Sequence, residues 1–558
     1  MVFFWRWSVV MITLAEVLAG PAMASLDLTG EQLRQRVEQL REGRPLEVAG
    51  TRLVAVQCIP RFYERRGFQL AWSDPRNVAE LIALVKQTYE HGLNPKDYQL
   101  EELEGLLQGG PATGFAEPAR RAERDLLLTD ILIRLLYHAH FGKVNPADLD
   151  ADWNFGRSLH GEDPVEKVEQ ALSSGSLKDF LADEMRAPYF YVRLRAALAE
   201  YRALAASGGW PRVSGGPTLH PGDTGERVAE LRRRLEVTGD QPHSESDSPQ
   251  YFDSQLEAGV RAFQERHGLE VDGKVGRRTS KALNVTVEQR IEQLRVNLER
   301  IRWVYHNLPQ DFLLVDIAGF HVNLVRGGEV SWSAKAQVGK PFRSTPVFRA
   351  TMTYLVFNPT WTVPPTILRK DVIPKLKREP GHLETMNMSL LDGAGERVDP
   401  RSVDWAKVSA RRFPYTVRQE PGPENALGRV KFMFPNSHFV FLHDTPSKSL
   451  FDRAQRTFSS GCIRVERPLE LAELLLDDPV KWHQEAIRQV LDSGKTRSVV
   501  LEKPLPVLLF YWTAEVADDG RVYFREDIYG RDQQVLKALD APPQFTGPGG
   551  LPEWYRDG

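Results

Sequence analysis

Two side chains in the C-terminal half of the chain have the types of a nucleophile and its base. His443 ends the segment SHFVFLH, and Cys462 follows in the segment SSGCIRV. A thiolate is the attacking form of cysteine, and an imidazole can lower its effective pKa and later pass a proton to a leaving amine. The pair therefore predicts nucleophilic catalysis, with Cys462 as nucleophile and His443 as base.

The elements around these residues must bring them together. In SHFVFLH the alternation places Phe439, Phe441 and His443 on one face of a predicted strand, so His443 lies where the chain leaves the sheet. Cys462 lies in a turn between the sheet and a helix that opens at Pro468. Gly461 allows a close approach there, and backbone N–H groups can converge on an oxyanion.

Further residues near the pair are candidates for substrate or oxyanion contact. Ser459 and Ser460 suit a tight turn, and a hydroxyl near the oxyanion would help. Thr445 is expected to cap the loop after His443. We also expect an electropositive site that favours the thiolate and attracts carboxylated substrates, made by Arg464, Lys448, Arg453, Arg456 and Arg467.

The pattern along the chain predicts a multidomain α+β protein. Helical periodicity runs over residues 25–210, a small three-helix unit covers 214–285, and a helix over 286–305 is expected to pack back on the first domain. From 311 to 502 the period changes to that of strands, which predicts a mostly-β catalytic domain. An irregular stretch at about 358–432 is interpreted as an insertion capping the sheet, and 503–558 as a hairpin and a weakly ordered tail.

Composition excludes several classes of protein. The 558 residues carry a formal net charge of -3, with 26% charged and 42% hydrophobic residues, so nucleic-acid binding is not expected. The two cysteines cannot build a disulfide scaffold or a cysteine-rich zinc module. Cys58 is interpreted as a buried small apolar residue. No ligand cluster suggests a metal, and no cofactor is predicted.

The N-terminus resembles a secretory signal peptide. Arg6 precedes an apolar run from Val9 to Leu18, and Ala22-Met23-Ala24 resembles a cleavage site. We expect export to the periplasm with residues 1–24 as the signal; an N-terminal membrane anchor is the alternative.

Residues 214–285 resemble a peptidoglycan-binding domain with the pattern GDxGxxVxxLQxxL followed by FDxxxxxAVxxFQxxxGLxxDGxxGxxTxxAL. Most of the matching residues are structural, serving turns or the core, so a spacer remains an alternative to a binding domain. The matching positions are Gly222, Asp223, Gly225, Val228, Leu231, Leu235, Phe252, Val260, Phe263, Gln264, Gly268, Leu269, Asp272, Gly273, Gly276, Thr279, Ala282 and Leu283.

The whole arrangement resembles the L,D-transpeptidase family, in its large Gram-negative type with scaffold, peptidoglycan-binding and catalytic domains. The motif of a strand-end His followed by S-x-G-C-x-R matches His443, Ser459, Gly461, Cys462 and Arg464. VGKPFRSTPVF at 338–348, NPTWTVPPTI at 358–367 and NALGRVKFMFPN at 425–436 also match. Many members have a second His where this chain has Ser460, so the partner that orients His443 is open; in relatives a backbone carbonyl often serves.

The resemblance implies a mechanism and partners. Cys462 would release D-Ala from a tetrapeptide stem, forming a thioester that an amine on a second stem resolves into a 3-3 cross-link. Trp361, in the insertion, would contact a stem or pack within the insertion, and Arg464 would contact substrate or brace its loop. Peptidoglycan stems are the implied partners, other cell-wall synthesis proteins are possible ones, and carbapenems are implied covalent inhibitors.

Two kinds of alternative stay open. The same thioester could be resolved by water, giving an L,D-carboxypeptidase, or could attach a lipoprotein to the wall. The chain could instead be a non-catalytic wall-binding scaffold, although intact His443 and Cys462 argue against a decayed site.

Overall fold

The computed structural model describes residues 28–543, except 49, 109–116, 158, 160–161, 185–186, 243–247, 380, 406 and 409–412. The predicted signal peptide, residues 1–24, lies outside the described residues. None of the helices in the described ranges combines the length and apolarity that a membrane crossing needs.

The N-terminal part is helical, as the periodicity predicts. Its longest helix, α5, has Pro118 at its first turn and is buried along most of its length from Ala122 onwards. Cys58 is 3% exposed, and burial raises its pKa to about 12, in keeping with the interpretation as a buried apolar residue. The elements are α1 (Leu28–Arg41), β1 (Glu47–Val48), β2 (Thr51–Arg52), α2 (Cys58–Arg65), α3 (Pro75–Gln87), α4 (Leu100–Gln108), α5 (Pro118–Phe141), α6 (Pro164–Ser173), α7 (Leu177–Glu184) and α8 (Tyr189–Ala206).

A small three-helix unit follows, made of α9 (Glu226–Val237), α10 (Ser254–Arg266) and α11 (Arg277–Leu283). Its core is apolar, and several of its polar residues hold helix ends and turns. The Asp253 carboxylate caps α10 by accepting from the Leu256 N–H at 2.8 Å. The Gln264 amide donates to Asp272 Oδ1 at 2.8 Å and to the Lys274 carbonyl at 2.9 Å.

Helix α12 (Val287–Arg302) connects this unit to the rest of the molecule. It begins with a capping box, in which the Thr286 hydroxyl accepts from the Gln289 N–H and the Gln289 side chain accepts from the Thr286 N–H. Leu294 and Leu298 form an apolar cluster with Leu194 and Leu198 of α8. The helix thus lies against the end of the N-terminal helical region.

The catalytic part is built on a nine-stranded sheet in the order β13-β5-β14-β12-β11-β6-β15-β3-β4. Because β4 also pairs with β5, the sheet closes on itself. Helices α16 (Pro468–Leu476) and α17 (Gln484–Asp492) cover it. The strands are β3 (Phe312–Asp316), β4 (His321–Arg326), β5 (Glu329–Gly339), β6 (Phe348–Phe357), β11 (Val430–Met433), β12 (Leu442–His443), β13 (Thr457–Ser459), β14 (Ile463–Val465) and β15 (Arg497–Phe510).

The insertion has its own four-stranded sheet, in the order β7-β10-β8-β9, and its own apolar core. The prediction that it extends to residue 432 is wrong at its C-terminal end, because β11 already belongs to the large sheet, paired with β6. Its elements are β7 (Trp361–Thr362), α13 (Pro365–Ile367), α14 (Ile373–Leu376), α15 (His382–Thr385), β8 (Met388–Leu391), β9 (Arg397–Val398) and β10 (Thr416–Gln419).

The C-terminal boundary at residue 502 is also wrong. Strand β15 continues to Phe510 because its second half pairs with β3 as well as with β6. The hairpin is therefore shorter than predicted, consisting of β16 (Ala514–Val516) and β17 (Val522–Phe524). Part of the predicted tail is a helix, α18 (Asp532–Asp540), whose apolar face packs on the main core. Residues 544–558 lie outside the described residues.

Candidate active site

Strand pairing brings Cys462 and His443 to one face of the sheet. Strands β12 and β14 pair in parallel. In this pair Leu442 lies directly opposite Ile463, and His443 lies directly opposite Arg464. Residues that lie directly opposite each other on neighbouring strands have side chains on the same face of the sheet. Residues two apart in one strand also share a face. Leu442 and Ile463 point into the core at 0% exposure, so His443, Arg464 and Cys462 lie on the opposite face. Lys431 joins them, because it pairs with His443 across β11 and β12.

The strand that carries His443 is shorter than predicted. Phe439 has φ +55°, and β12 comprises only Leu442 and His443. The cause is local, because the Asn436 side chain accepts from the backbone N–H groups of His438 at 3.0 Å and Val440 at 3.2 Å. These groups are therefore satisfied outside the sheet. The resulting bend places the Phe439 carbonyl 3.8 Å from the Cys462 Sγ.

The turn before Cys462 is held by two hydroxyl groups. Ser459, 2% exposed, accepts from the Gly461 N–H at 3.1 Å and donates to the Cys462 carbonyl. Thr345 donates to the Gly461 carbonyl at 2.8 Å. Gly461 has φ +119°, a conformation that favours glycine. The turn leaves the Cys462 side chain partly exposed.

The imidazole of His443 is oriented by the backbone. Its Nδ1 contacts the Asp444 carbonyl at 2.5 Å, and since a carbonyl accepts, Nδ1 carries the proton and Nε2 is the unprotonated, basic nitrogen. The orienting partner that the sequence left open is thus a backbone carbonyl. Burial, followed by the charge of Arg464, lowers the pKa of His443 to about 3. The imidazole is therefore neutral at physiological pH.

Asp444 fixes the loop that carries this carbonyl. Its carboxylate accepts from the backbone N–H groups of Arg429 at 2.8 Å and Thr445 at 2.7 Å, and it pairs with Lys448. Thr445 is 2% exposed and accepts from the Ser447 N–H at 3.2 Å, so it caps this loop as expected.

The thiol of Cys462 differs from the expectation of a favoured thiolate. Burial raises its pKa, while a backbone hydrogen bond from Phe441 and the charges of Lys431 and Arg464 lower it. Burial is the largest of these effects. Since the imidazole on the same sheet face is also neutral, the resting pair is a neutral thiol and a neutral base rather than an ion pair.

The cations that act on the sulfur are not the set that the sequence suggested. Lys448 pairs with Asp444, Arg456 donates to the carbonyls of Ala336 and Phe320, and Arg467 pairs with Glu470. Of the five predicted cations, Arg464 is the one that affects the pKa of Cys462. Lys431 also acts on the sulfur but was not among the predicted site residues; its ammonium lies 3.8 Å above the Phe441 ring. Its position within NALGRVKFMFPN, a segment already singled out, was the available signal.

The guanidinium of Arg464 is held by one hydrogen bond to the sheet, and one of its N–H groups has no acceptor among the described residues. Its Nη1 donates to the side chain of buried Gln337 at 3.2 Å, and its buried Nε has no hydrogen-bond partner among the described residues. Trp361 lies elsewhere. It packs in the core of the insertion, and its strand pairs with β10.

The insertion contacts the turn at residues 459–462, here called the catalytic turn, through Arg343. Arg343 Nη1 donates to Ser460 Oγ at 2.9 Å and to Asp371 Oδ2 at 2.8 Å. Ser460 is an exposed residue of the catalytic turn, whereas Asp371 belongs to the insertion. One guanidinium therefore links the insertion to the turn that carries Cys462.

Comparison with protein families shows which known domain contains these residues. Residues 310–481 match the family model of the L,D-transpeptidase catalytic domain. The chain contains an L,D-transpeptidase catalytic domain. Residues 57–198 match a scaffold domain, and residues 224–283 match a model described as "Putative peptidoglycan binding domain". The resemblance found in the sequence and the fold class derived from it are thereby confirmed.

Two curated proteins resemble parts of the chain. A "Putative L,D-transpeptidase" of Haemophilus influenzae is 37% identical over 259 residues, which are 46% of this chain and 50% of that protein. An N-acetylmuramoyl-L-alanine amidase, CwlM, of Mycobacterium tuberculosis is 41% identical over 80 residues, or 13% of this chain and 20% of that protein. The chain thus matches half or less of the length of these relatives.

Solved structures that resemble the chain include two L,D-transpeptidases. The one from Mycobacterium smegmatis is 16% identical, with 36% of this chain and 58% of that chain covered and a TM-score of 0.17. The one from Xylanimonas cellulosilytica is 14% identical, with 53% of this chain and 99% of that chain covered and a TM-score of 0.17.

Proposed function

We propose that the protein is a peptidoglycan L,D-transpeptidase that forms 3-3 cross-links through a thioester on Cys462. One observation carries the proposal: within an L,D-transpeptidase domain, a partly exposed cysteine shares a sheet face with a histidine whose Nε2 is the unprotonated, basic nitrogen. The proposal includes periplasmic cell-wall remodelling as the setting, with the unit at 214–285 binding peptidoglycan.

Acylation begins from the neutral pair. The Cys462 Sγ attacks the carbonyl between the third residue of a tetrapeptide stem and its D-Ala, while His443 Nε2 takes the thiol proton. Lys431 and Arg464 stabilise the negative charge that develops on sulfur, since both charges lower the pKa of Cys462. The imidazolium then gives its proton to the leaving D-Ala amine, and the C–N bond breaks. The product is a thioester on Cys462 and free D-Ala.

Deacylation uses the same base in the second half of the cycle. His443 Nε2 accepts a proton from the side-chain amine of a diamino acid on a second stem as that amine attacks the thioester. The new amide is the 3-3 cross-link, and the thiol is regenerated when the imidazolium returns the proton to sulfur. Exclusion of water favours the amine as acceptor, a role suited to the insertion, which Arg343 links to the catalytic turn.

Loss of Cys462 is the direct test of the nucleophile. Incubating the purified chain with a tetrapeptide donor should add the mass of the tripeptide acyl group, as read by intact-protein mass spectrometry. Cys462→Ala should show no adduct, whereas Cys58→Ala should acylate normally because Cys58 is buried in the helical domain. An adduct on Cys462→Ala, or none on the unaltered chain, would refute the mechanism.

Product analysis separates the alternatives. A cross-linked dimer supports transpeptidation, a trimmed monomer supports an L,D-carboxypeptidase, and a lipoprotein adduct supports wall attachment. Acylation by a carbapenem separates all three from a non-catalytic scaffold, which would show no mass shift.

A further inference from the structure

A cavity of about 510 Å³ lies between the three-helix unit, helix α12 and the C-terminal segment. Arg277 and Lys281 line it from α11, Arg290 from α12, and Phe524 from β17. Its volume lies in the range of pockets that hold small ligands. The cavity is distant in the chain from Cys462 and is not part of the catalytic site described above.

Arg290 is a buried cation without a counter-ion in this cavity. It is 7% exposed, lies 4.4 Å above the Phe524 ring, and donates to Gln293 Oε1 at 2.7 Å. It makes no ion pair with any described residue. Burial, together with the neighbouring charges of Arg266 and Arg234, lowers its pKa to about 9, although Tyr201 acts in the opposite direction. A guanidinium that is desolvated among other cations is costly unless an anion joins it.

Most acidic residues of the cavity have partners other than Arg290 and Arg277. Asp532 pairs with Arg300 at 2.6 Å, and Glu526 pairs with Arg278 at 2.8 Å. Asp527 accepts from the Tyr511 hydroxyl at 2.7 Å. Glu292, exposed on α12, is the remaining acid of the lining. Neither Arg290 nor exposed Arg277 is therefore neutralised by an ion pair within the part of the chain that the structure describes.

The remaining wall is apolar, with Leu269, Val285, Val296, Phe524 and Leu536 among the lining residues. A ligand that fits must combine a carboxylate with small apolar groups. A short peptide that contains alanines and ends in a carboxylate has this chemistry. An inorganic anion would leave the apolar wall uncovered.

The cavity lies where the three-helix unit meets the catalytic domain. Leu269, Arg278 and Arg525 also line a neighbouring cavity of about 570 Å³. There Glu270 accepts from the Ala454 N–H at 3.0 Å, and Ala454 precedes the strand that leads into the catalytic turn. A peptidoglycan strand held at this junction would lie on the same molecule as the nucleophile without occupying its site.

We infer that this junction cavity binds the carboxylate of a peptidoglycan stem peptide, with Arg290 as the buried counter-ion and Arg277 at the rim. The inference rests on the proposed function, because it takes peptidoglycan as the substrate. It adds a second stem-binding site that is separate from Cys462.

Binding to purified peptidoglycan sacculi tests the inference. The full chain with Cys462→Ala, which prevents turnover, is sedimented with sacculi, alone and with Arg290→Leu or Arg277→Ala. Arg290→Leu should weaken binding about tenfold, the effect expected for loss of a hydrogen bond to a charged group. Arg277→Ala should weaken it about twofold to fivefold, as for an exposed ion pair. Arg233→Ala, an exposed arginine on α9 that pairs with Glu226, is the matched control and should bind normally.

A second arm tests the chemistry of the ligand. Sacculi whose carboxylates have been converted to amides should bind the Cys462→Ala chain as weakly as the Arg290→Leu variant binds untreated sacculi. Equal binding of the treated and untreated sacculi would overturn the inference, as would normal binding by Arg290→Leu. If Arg290→Leu fails to fold, Arg277→Ala and the amidated sacculi decide the result.

The inference and the proposed function fail in different ways. If the unaltered chain forms the thioester but Arg290→Leu binds sacculi normally, the junction site is wrong and the enzyme remains. If the Arg290 effect is present but no thioester forms, the binding site remains and the proposed reaction is wrong.

Discussion

At the scale of single residues, the proposed catalytic pair, Cys462 and His443, is neutral at rest. Burial acts in opposite directions on the pKa values of the two groups, raising that of Cys462 and lowering that of His443, because in each case it disfavours the charged form. In the proposed mechanism, the acylation step must therefore move a proton as the sulfur attacks. The charges of Lys431 and Arg464 lower the pKa of Cys462, but they offset only part of the increase that burial causes.

Alkylation of Cys462 by iodoacetamide should report this state. Because the pKa of the thiol is raised, the rate should increase about tenfold per pH unit from pH 6 to 9. His443 stays neutral above about pH 3, so its titration adds no step between pH 5 and 8. A rate that is constant over this range would contradict the neutral pair and indicate a thiolate–imidazolium pair.

Lys431→Met should slow this alkylation at any pH below the pKa of the thiol. Removing a charge that lowers the pKa of Cys462 raises that pKa, and each unit lowers the thiolate fraction about tenfold. Lys335→Met is the control, because Lys335 pairs with Glu466 and does not affect Cys462. Equal alkylation rates for both variants would show that Lys431 does not lower the pKa of Cys462.

Ser459→Ala should destabilise the catalytic turn, whereas Ser460→Ala should not. The buried Ser459 hydroxyl bonds to both the Gly461 N–H and the Cys462 carbonyl, so its loss should cost about 1–3 kcal/mol of unfolding free energy. Ser460 is exposed, and its substitution should change the unfolding free energy by less than about 0.5 kcal/mol. Urea denaturation of the two variants side by side measures the difference.

At the scale of elements, the insertion is a small folded unit that Arg343 connects to the catalytic turn. Its core is its own, and Trp361 contributes to that core. Arg343 is 13% exposed and Asp371 is 51% exposed, so their ion pair is half open to solvent. Such a pair contributes little to stability, about 0–1 kcal/mol, yet it connects the insertion to Ser460 in the turn that carries Cys462.

Asp371→Asn should increase access to Cys462 with little effect on stability. Losing up to about 1 kcal/mol of contact energy should raise the iodoacetamide rate at fixed pH by a factor of up to about five. Asp404→Asn, also in the insertion but paired with Lys407, is the matched control. If both variants leave the rate unchanged, the Arg343–Asp371 contact does not control access.

At the scale of the whole molecule, a buried charge network joins helix α12 to the N-terminal helical region. Glu299, 0% exposed, accepts from the Val144 N–H at 2.6 Å and pairs with Arg302 at 2.6 Å. Arg302 in turn donates to the His91 carbonyl at 2.9 Å. The network ties segments more than a hundred residues apart in the chain.

Glu299→Gln should destabilise this junction strongly. It leaves the buried Arg302 without its counter-ion, which typically costs about 3–5 kcal/mol. Glu292→Gln, on the exposed side of the same helix, should change stability by less than about 0.5 kcal/mol. Urea unfolding followed by circular dichroism measures both, and similar midpoints would show that the network is not needed at the junction.

Much of the architecture was predictable from local patterns. Helical spacing and the change to a two-residue period indicate the helical region, the three-helix unit and the β-rich catalytic part, because amphipathic periodicity is a local property. The segments around Cys462 and His443 also indicated the family. Boundaries were less predictable, as the ends of the insertion and of β15 show, because a strand ends where its partner ends.

The chemical types at the catalytic site were determined by the sequence itself: one cysteine after Gly461 and one histidine at the end of a strand. Only the tertiary structure decided their protonation, the orienting Asp444 carbonyl, and which cations act on the sulfur. Lys431 reaches Cys462 through strand pairing, whereas Lys448 and Arg467 are engaged by carboxylates. The physical reason is that burial and charge act through space, so the pKa of a group depends on neighbours that are distant in the chain.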